Sequence, residues 1–231
     1  PSSVRLHPLR AAPCRIATGR VVLTHGMDRL RRSVTRRPAD GQGQSTLPAL
    51  RLLPMIQSLY LAGPDIFRPD AAARGEQLKA LCARHGFEGL FPLDAQVAGH
   101  ATGDPLETAR WIYRADIGLL DAADAVLANL DFFRGAEPDS GTCFEVGYAI
   151  ARGKPVYGYV PEGGSLAERI RRRCPEYLGE DAGNDMQGWQ LEEFGLPLNL
   201  MLAVPCVMVV GDAEAALQRL RRDLDARHRV A

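Results

Sequence analysis

Residues 125–160 read AVLANL-DFFRGAEPD-SGTCFEVGYAIAR-GK-PVYGYV, and the parsing of this stretch decides the fold. Residues 125–130 are a short apolar run, too brief for a buried helix and of the right length for a strand buried on both faces. A polar loop follows. Residues 140–152 then have the length and spacing of a helix, closed by Gly153, and residues 155–160 form a second apolar run. Strand, helix and strand in this order make a crossover unit, whose two strands lie parallel.

The same alternation extends in both directions. Residues 56–62 read as a strand closed by Gly63-Pro64, and 71–85 as a helix carrying Leu78, Leu81 and Cys82 on one side with Gly86 just beyond. Residues 87–91 are strand-like and stop at Pro92. Residues 105–120 form a helix with Asp104 as its cap and Pro105 at its first position. Downstream, 166–173 reads as a helix, 179–195 as an acidic, glycine-containing loop and 198–203 as a short helix. Residues 207–210 supply a last strand and 213–227 a closing amphipathic helix. The expectation is a single α/β domain over 55–231: a mostly parallel, doubly wound five-stranded sheet covered on both faces. Right-handed crossovers bring every loop that follows a strand to one edge. Ligands of such sheets bind outside the carboxyl ends of the strands, here among the loops at Gly63, Pro92, 131–139 and Pro161.

Residues 1–54 are a different kind of sequence. Ten arginines stand there against only Asp28 and Asp40, so the neutral chain divides into a segment of net charge +8 and a remainder of −8. The segment shows no sustained period of 2 or 3.6 and is rich in Arg, Pro, Gly and Ser. An arm that binds nucleic acid and an organelle-targeting peptide share that character. The expectation is a flexible, disordered extension, with Met55 as the working first residue, and nucleic acid is not an expected partner.

Several function classes are excluded by what the chain lacks. No G-x-G-x-x-G follows the first strand and no P-loop occurs, which argues against dinucleotide and nucleoside-triphosphate chemistry. The five histidines and five cysteines are scattered without metal-ligand spacing, so neither a metal nor a cofactor is expected. An odd cysteine count at irregular spacing fits free thiols in a reducing compartment, hence a cytoplasmic protein. The apolar runs are far shorter than the roughly 20 residues of a membrane span.

The chemistry concentrates in 139–149, DSGTCFEVGYA. With Asp139 or Ser140 as cap, Glu145 lies in the second helical turn, beside the crevice. Gly141 and Gly147 each cost a helix roughly 1 kcal/mol relative to alanine. That makes sense where a ligand or a neighbouring backbone must approach closely. From spacing alone, Glu145 reads equally as a solvated helix carboxylate.

Five segments in order, spread over nearly all of 55–231, resemble the nucleoside 2-deoxyribosyltransferase family. They are Tyr60-Leu61-Ala62-Gly63-Pro64 with Phe67; Pro92-Leu93-Asp94-Ala95-Gln96; Ala115-Asp116-Ile117; Asp139 to Ala149; and Pro197-Leu198-Asn199-Leu200-Met201. The resemblance implies a flavodoxin-like fold and transfer of a 2-deoxyribosyl group between nucleobases by a retaining double displacement. It makes Glu145 the nucleophile that forms a covalent sugar ester, kept ionised with help from its helix N-terminus. It assigns Asp116 and Asp139 to the base and its proton, Tyr60 to holding Glu145, and Gln96 to orienting the base. Gly63 and Phe67 belong to the substrate loop, and Phe67 reads as a base-stacking ring or a core residue. Asn199 and Met201 are lent to the neighbouring subunit's site, Asn199 reaching the sugar 5′-hydroxyl, so a homodimer or larger assembly is implied. The partners are then 2′-deoxynucleosides and free bases. Two rival readings are a 2′-deoxynucleoside 5′-monophosphate N-glycosidase, for which Arg68 and Arg134 would supply phosphate contacts, and a non-catalytic nucleotide-binding module.

Overall fold

A computed structural model describes residues 55–96, 103–181 and 183–229. The extension expected over 1–54 lies outside the described residues. Five strands form one sheet: β1 (Ser58–Ala62), β2 (Glu88–Leu90), β3 (Ala125–Asn129), β4 (Val156–Val160) and β5 (Val207–Val210). Their order is β2-β1-β3-β4-β5 and every pairing is parallel. This is the doubly wound, flavodoxin-like arrangement. Strand order reverses between β1 and β3, and the crevice of such a fold opens there.

The two-residue period of a strand sorts the core into two layers. On one face Leu59 and Leu61 of β1 pack with Leu78 and Cys82 of α1 (Ala71–Arg84) and with Leu217 and Leu220 of α7 (Ala213–His228). On the other face Tyr60 and Ala62 pack with Leu120 of α3 (Pro105–Ala122) and Val146 and Ala149 of α4 (Ser140–Ala151). Leu202 and Ala203 of the short helix α6 (Leu200–Ala203) join this second layer. Helix α5 (Leu166–Arg173) begins with a full capping box, Ser165 and Glu168 each satisfying the other's backbone N–H.

Expected starts and stops hold at the caps. The Asp104 carboxylate accepts from the Leu106 N–H, ahead of Pro105 at the first helical position. Three short elements had no signal strong enough to read. Pro92–Gln96 winds into a five-residue helix (α2), and Pro64–Phe67 and Pro175–Tyr177 into 3₁₀ turns. None is long enough to display a period. The 179–195 loop, read as irregular, folds back on itself through the isolated bridges Leu178–Asp185 and Asn184–Gln190. Among the described residues, no helix is long and apolar enough to cross a membrane.

Candidate active site

Tyr60 sits in the middle of β1 and is fully buried, its side chain on the α4 side of the sheet. Its hydroxyl donates to Glu145 Oε1 at 2.5 Å, across 85 residues of sequence. That contact fixes the carboxylate of the second turn of α4 at the sheet, away from bulk water. A cleft of about 330 Å³ opens beside it between α3 and α4, lined by Ile112, Tyr113, Asp116, Ile117, Phe144 and Glu145, with Gly141 at its wall. Apolar walls around two carboxyls suit a flat, mostly apolar ring that needs a proton at one point.

Burial controls the electrostatics. Desolvation pushes the Glu145 carboxyl up to about 7; the Tyr60 hydrogen bond opposes the rise, and the charges of Asp116 and Asp139 add to it. Desolvation also raises Asp116, to about 6. One of its oxygens, Oδ1, is buried with no hydrogen-bond partner. This corrects the expectation that the helix end keeps Glu145 ionised. A helix N-terminus contributes roughly 0.3–1 kcal/mol. A rise from 4.5 to about 7 corresponds to about 3 kcal/mol in the opposite sense. Burial wins. The Tyr60 phenol is raised far above its ordinary range, chiefly by burial, and remains a donor.

Asp139 caps α4: its Oδ2 accepts from the Thr142 N–H at 2.9 Å and the Thr142 hydroxyl at 3.0 Å. Its charge contributes to the rise at Glu145, so the cap lies within electrostatic reach of that carboxyl. Gly141 lines the cleft, whereas a Cβ on Gly147 would meet nothing within 4 Å. Close approach within this chain therefore does not account for Gly147.

Gly63 follows β1 with φ +151, and a Cβ there would stand 2.7 Å from the Asn129 Cβ. Only glycine lets this turn lie against the end of β3. Asn129 Nδ2 then donates to Asp65 Oδ2 at 3.1 Å, and Arg74 holds the other Asp65 oxygen at 3.0 Å. Sequence reading missed Asn129. Its signal was one polar side chain closing an apolar strand at the carboxyl edge. Phe67 is half exposed, which removes the core reading; it stacks on Phe133 at 5.3 Å, with Arg134 over both rings. The Gln96 side chain lies outside the described residues. Asn199 and Met201 do not line the cleft of their own chain. Asn199 caps α6, accepting from Met201 N–H and donating to Glu192 Oε1 at 2.7 Å, and Met201 is 72% exposed.

These features define a flavodoxin-like domain with a paired-carboxylate cleft between two helices that cover one face of its sheet. Its sequence matches the family described as nucleoside 2-deoxyribosyltransferase over residues 59–201, and the chain belongs to that family. It is similar to a 2-desoxiribosyltransferase from Leishmania mexicana, with 31% identity and a TM-score of 0.56, covering 72% of this chain and 97% of that one. An uncharacterised protein of Schizosaccharomyces pombe is 36% identical over 126 residues, which is 54% of this chain. The match spans 60% of the length of that yeast relative.

Proposed function

We propose that the chain transfers 2-deoxyribosyl groups between nucleobases by double displacement through Glu145. The observation that carries this reading is the Glu145 carboxylate, tethered by one oxygen to Tyr60 and sharing an apolar cleft with a second, half-buried carboxyl, that of Asp116. With Oε1 held, Oε2 attacks C1′ of a bound 2′-deoxynucleoside. The C1′–N bond breaks, its electron pair leaves with the base, and Asp116 in its protonated form supplies the proton that neutralises it. A sugar ester of Glu145 remains. An incoming base attacks C1′ from the face the first base left, returns a proton to Asp116 and frees the carboxylate, with net retention. A deoxysugar suits a carboxylate nucleophile, because the missing 2′-hydroxyl makes an oxocarbenium-like transition state easier to reach.

In this reading Gly63 lets the substrate loop close on β3, Phe67 stacks at the rim, Gln96 orients the base and Asp139 acts beside Asp116. Asn199 and Met201 serve the site of a neighbouring copy, Asn199 at the sugar 5′-hydroxyl. The substrates are deoxynucleosides and free bases, without a cofactor.

The test is base exchange: 2′-deoxyinosine incubated with free adenine, and deoxyadenosine measured. Glu145→Ala is expected to lower exchange by roughly 10⁴-fold or more and to abolish trapping of a sugar ester. Wild-type turnover in that variant would remove Glu145 from the chemistry.

The 5′-monophosphate N-glycosidase reading has one observation in its favour. Arg68 is taken up by a two-point contact with Asp70. Arg134, by contrast, sits at φ 53 over the Phe67 and Phe133 rings, with no carboxylate partner among the described residues. Hydrolysis of 2′-deoxyinosine 5′-monophosphate, with no exchange on the nucleoside, would establish that reading instead.

A further inference from the structure

Helix α5 ends in Arg169-Ile170-Arg171-Arg172-Arg173, a run that reads as a solvated basic face. Arg171 and Arg172 are indeed exposed, yet Arg169 is completely buried. Sequestering a guanidinium is unfavourable unless its donors find partners. One terminal nitrogen donates to the Pro197 carbonyl at 2.7 Å, and the other to Asp131 Oδ1 at 3.2 Å. The guanidinium also lies 4.3 Å from the centre of the Phe132 ring. Its Nε remains without a partner, so hydrogen bonding alone does not explain why the residue is inside.

The two partners belong to different loops. Asp131 opens the loop that runs from β3 to α4, and Pro197 opens the segment that carries Asn199 and Met201. Asp131 is itself tied backward: its N–H donates to Asn129 Oδ1 at 3.2 Å, and Asn129 holds Asp65. A continuous polar chain thus crosses the carboxyl edge of the sheet, from Arg74 through Asp65, Asn129, Asp131 and Arg169 to Pro197. The Leu166 N–H adds a second tie to the same segment, donating to the Leu196 carbonyl at 2.7 Å. A planar fork can bridge a carboxylate and a carbonyl at once; a lysine amine has no such fixed geometry.

We propose that Arg169 is a positioning residue, which fixes the 197–201 segment against the β3–α4 loop and so sets where Asn199 and Met201 are presented. This deepens the transferase reading and rests on it for the role of Asn199 at the sugar. Arg169 acts through that segment and touches no substrate.

The full-length Arg169→Met and Arg169→Lys proteins test it. In base exchange from deoxyinosine, KM for the nucleoside rises roughly tenfold in the methionine variant while kcat stays within about threefold. The lysine variant recovers only part of the KM, and the pH dependence of kcat/KM does not move. A merely structural role would reduce the amount of folded enzyme, lowering apparent kcat at constant KM; that result overturns the proposal. Hydrogen–deuterium exchange supplies a readout free of activity. The Leu202 and Ala203 amides, which both bond to the Asn199 carbonyl, exchange roughly tenfold faster in the methionine variant, with the amides of β1 unchanged. If the wild-type chain exchanges no base, the transferase reading fails separately, and the amides then decide: unchanged exchange at Leu202 and Ala203 refutes the strut. Where the methionine variant does not fold, the lysine variant carries the same measurements.

Discussion

A carboxyl that titrates at about 7 beside one at about 6 sets a pH rule at the level of single residues. The proposed reaction needs Glu145 ionised and Asp116 protonated. Ionisation of Glu145 rises with pH through about 7, and protonation of Asp116 is lost through about 6. The competent pair is therefore a minority form at every pH. The profile of kcat/KM for the free enzyme is a bell centred between the two values, and its limbs belong to the coupled pair. Because the competent pair carries its protons the other way round, the acid limb of that bell lies near the lower value and the alkaline limb near the higher. Asp116→Asn leaves a single rise that follows Glu145 alone, below about 7 because one of the charges raising it is gone. The substitution thus removes the alkaline fall, and it lowers the maximum by roughly 10²-fold, the usual worth of a general acid. Steady-state kinetics across the pH range read both effects; an alkaline fall that persists in Asp116→Asn would take Asp116 out of the proton transfer. Glu145, Asp116, Asp139 and Tyr60 were legible as candidates because their motif neighbours are distinctive, and the structure joins Tyr60 to Glu145 and sets Asp116 in the same cleft. The proton affinity of Glu145 was not, because desolvation depends on the walls of a cleft built from two helices far apart in sequence. Arg169 was missed for the same reason: a buried arginine and an exposed one look identical within a basic run.

Among elements, the crossover between β3 and β4 was readable to within a residue, since its strands are continuous apolar runs and its helix carries capping and stop residues at both ends. Contacts with a distant backbone were harder to read. The turn at Gly63-Pro64 was legible, but its need for glycine was not, because its tight path is set by Asn129, on another strand. Gly63→Ala places a side chain where φ is +151 and brings its Cβ to 2.7 Å from the Asn129 Cβ. Backbone strain and steric overlap together should lower stability by on the order of 3 kcal/mol. Chemical denaturation would show this as a lower midpoint with an unchanged slope. Because the displaced Asn129 would also release Asp65, exchange activity should fall in the protein that remains folded. A variant with wild-type stability would mean that the turn relaxes freely and that glycine is not required there.

For the molecule as a whole, the decisive feature is a separation within one chain. The cleft holding Glu145 and Asp116 is lined by α3 and α4, while Asn199 and Met201 stand elsewhere, on the rim of α6, with Met201 largely exposed. Asn199 has capacity left for a ligand. Its oxygen accepts from one backbone N–H and its amide donates to Glu192, which leaves one lone pair and one N–H. If neighbouring copies exchange this segment, a site draws its nucleophile from one subunit and its sugar contact from the next. Two variants that are each inactive should then rescue one another. Glu145→Ala lacks the nucleophile but keeps Asn199, and Asn199→Ala does the reverse. Subunits mixed in equal amounts and reassembled at random leave roughly a quarter of the sites with both groups intact, whether the closed assembly is a dimer or a larger ring. Exchange activity should therefore return to roughly a quarter of the wild-type value per site, while each variant alone stays low. The readout requires subunit exchange, which mass spectrometry of differently tagged copies would verify. Mixed assemblies that form fully and remain inactive would place the whole site within one chain, and Asn199 would then be a helix cap and nothing more.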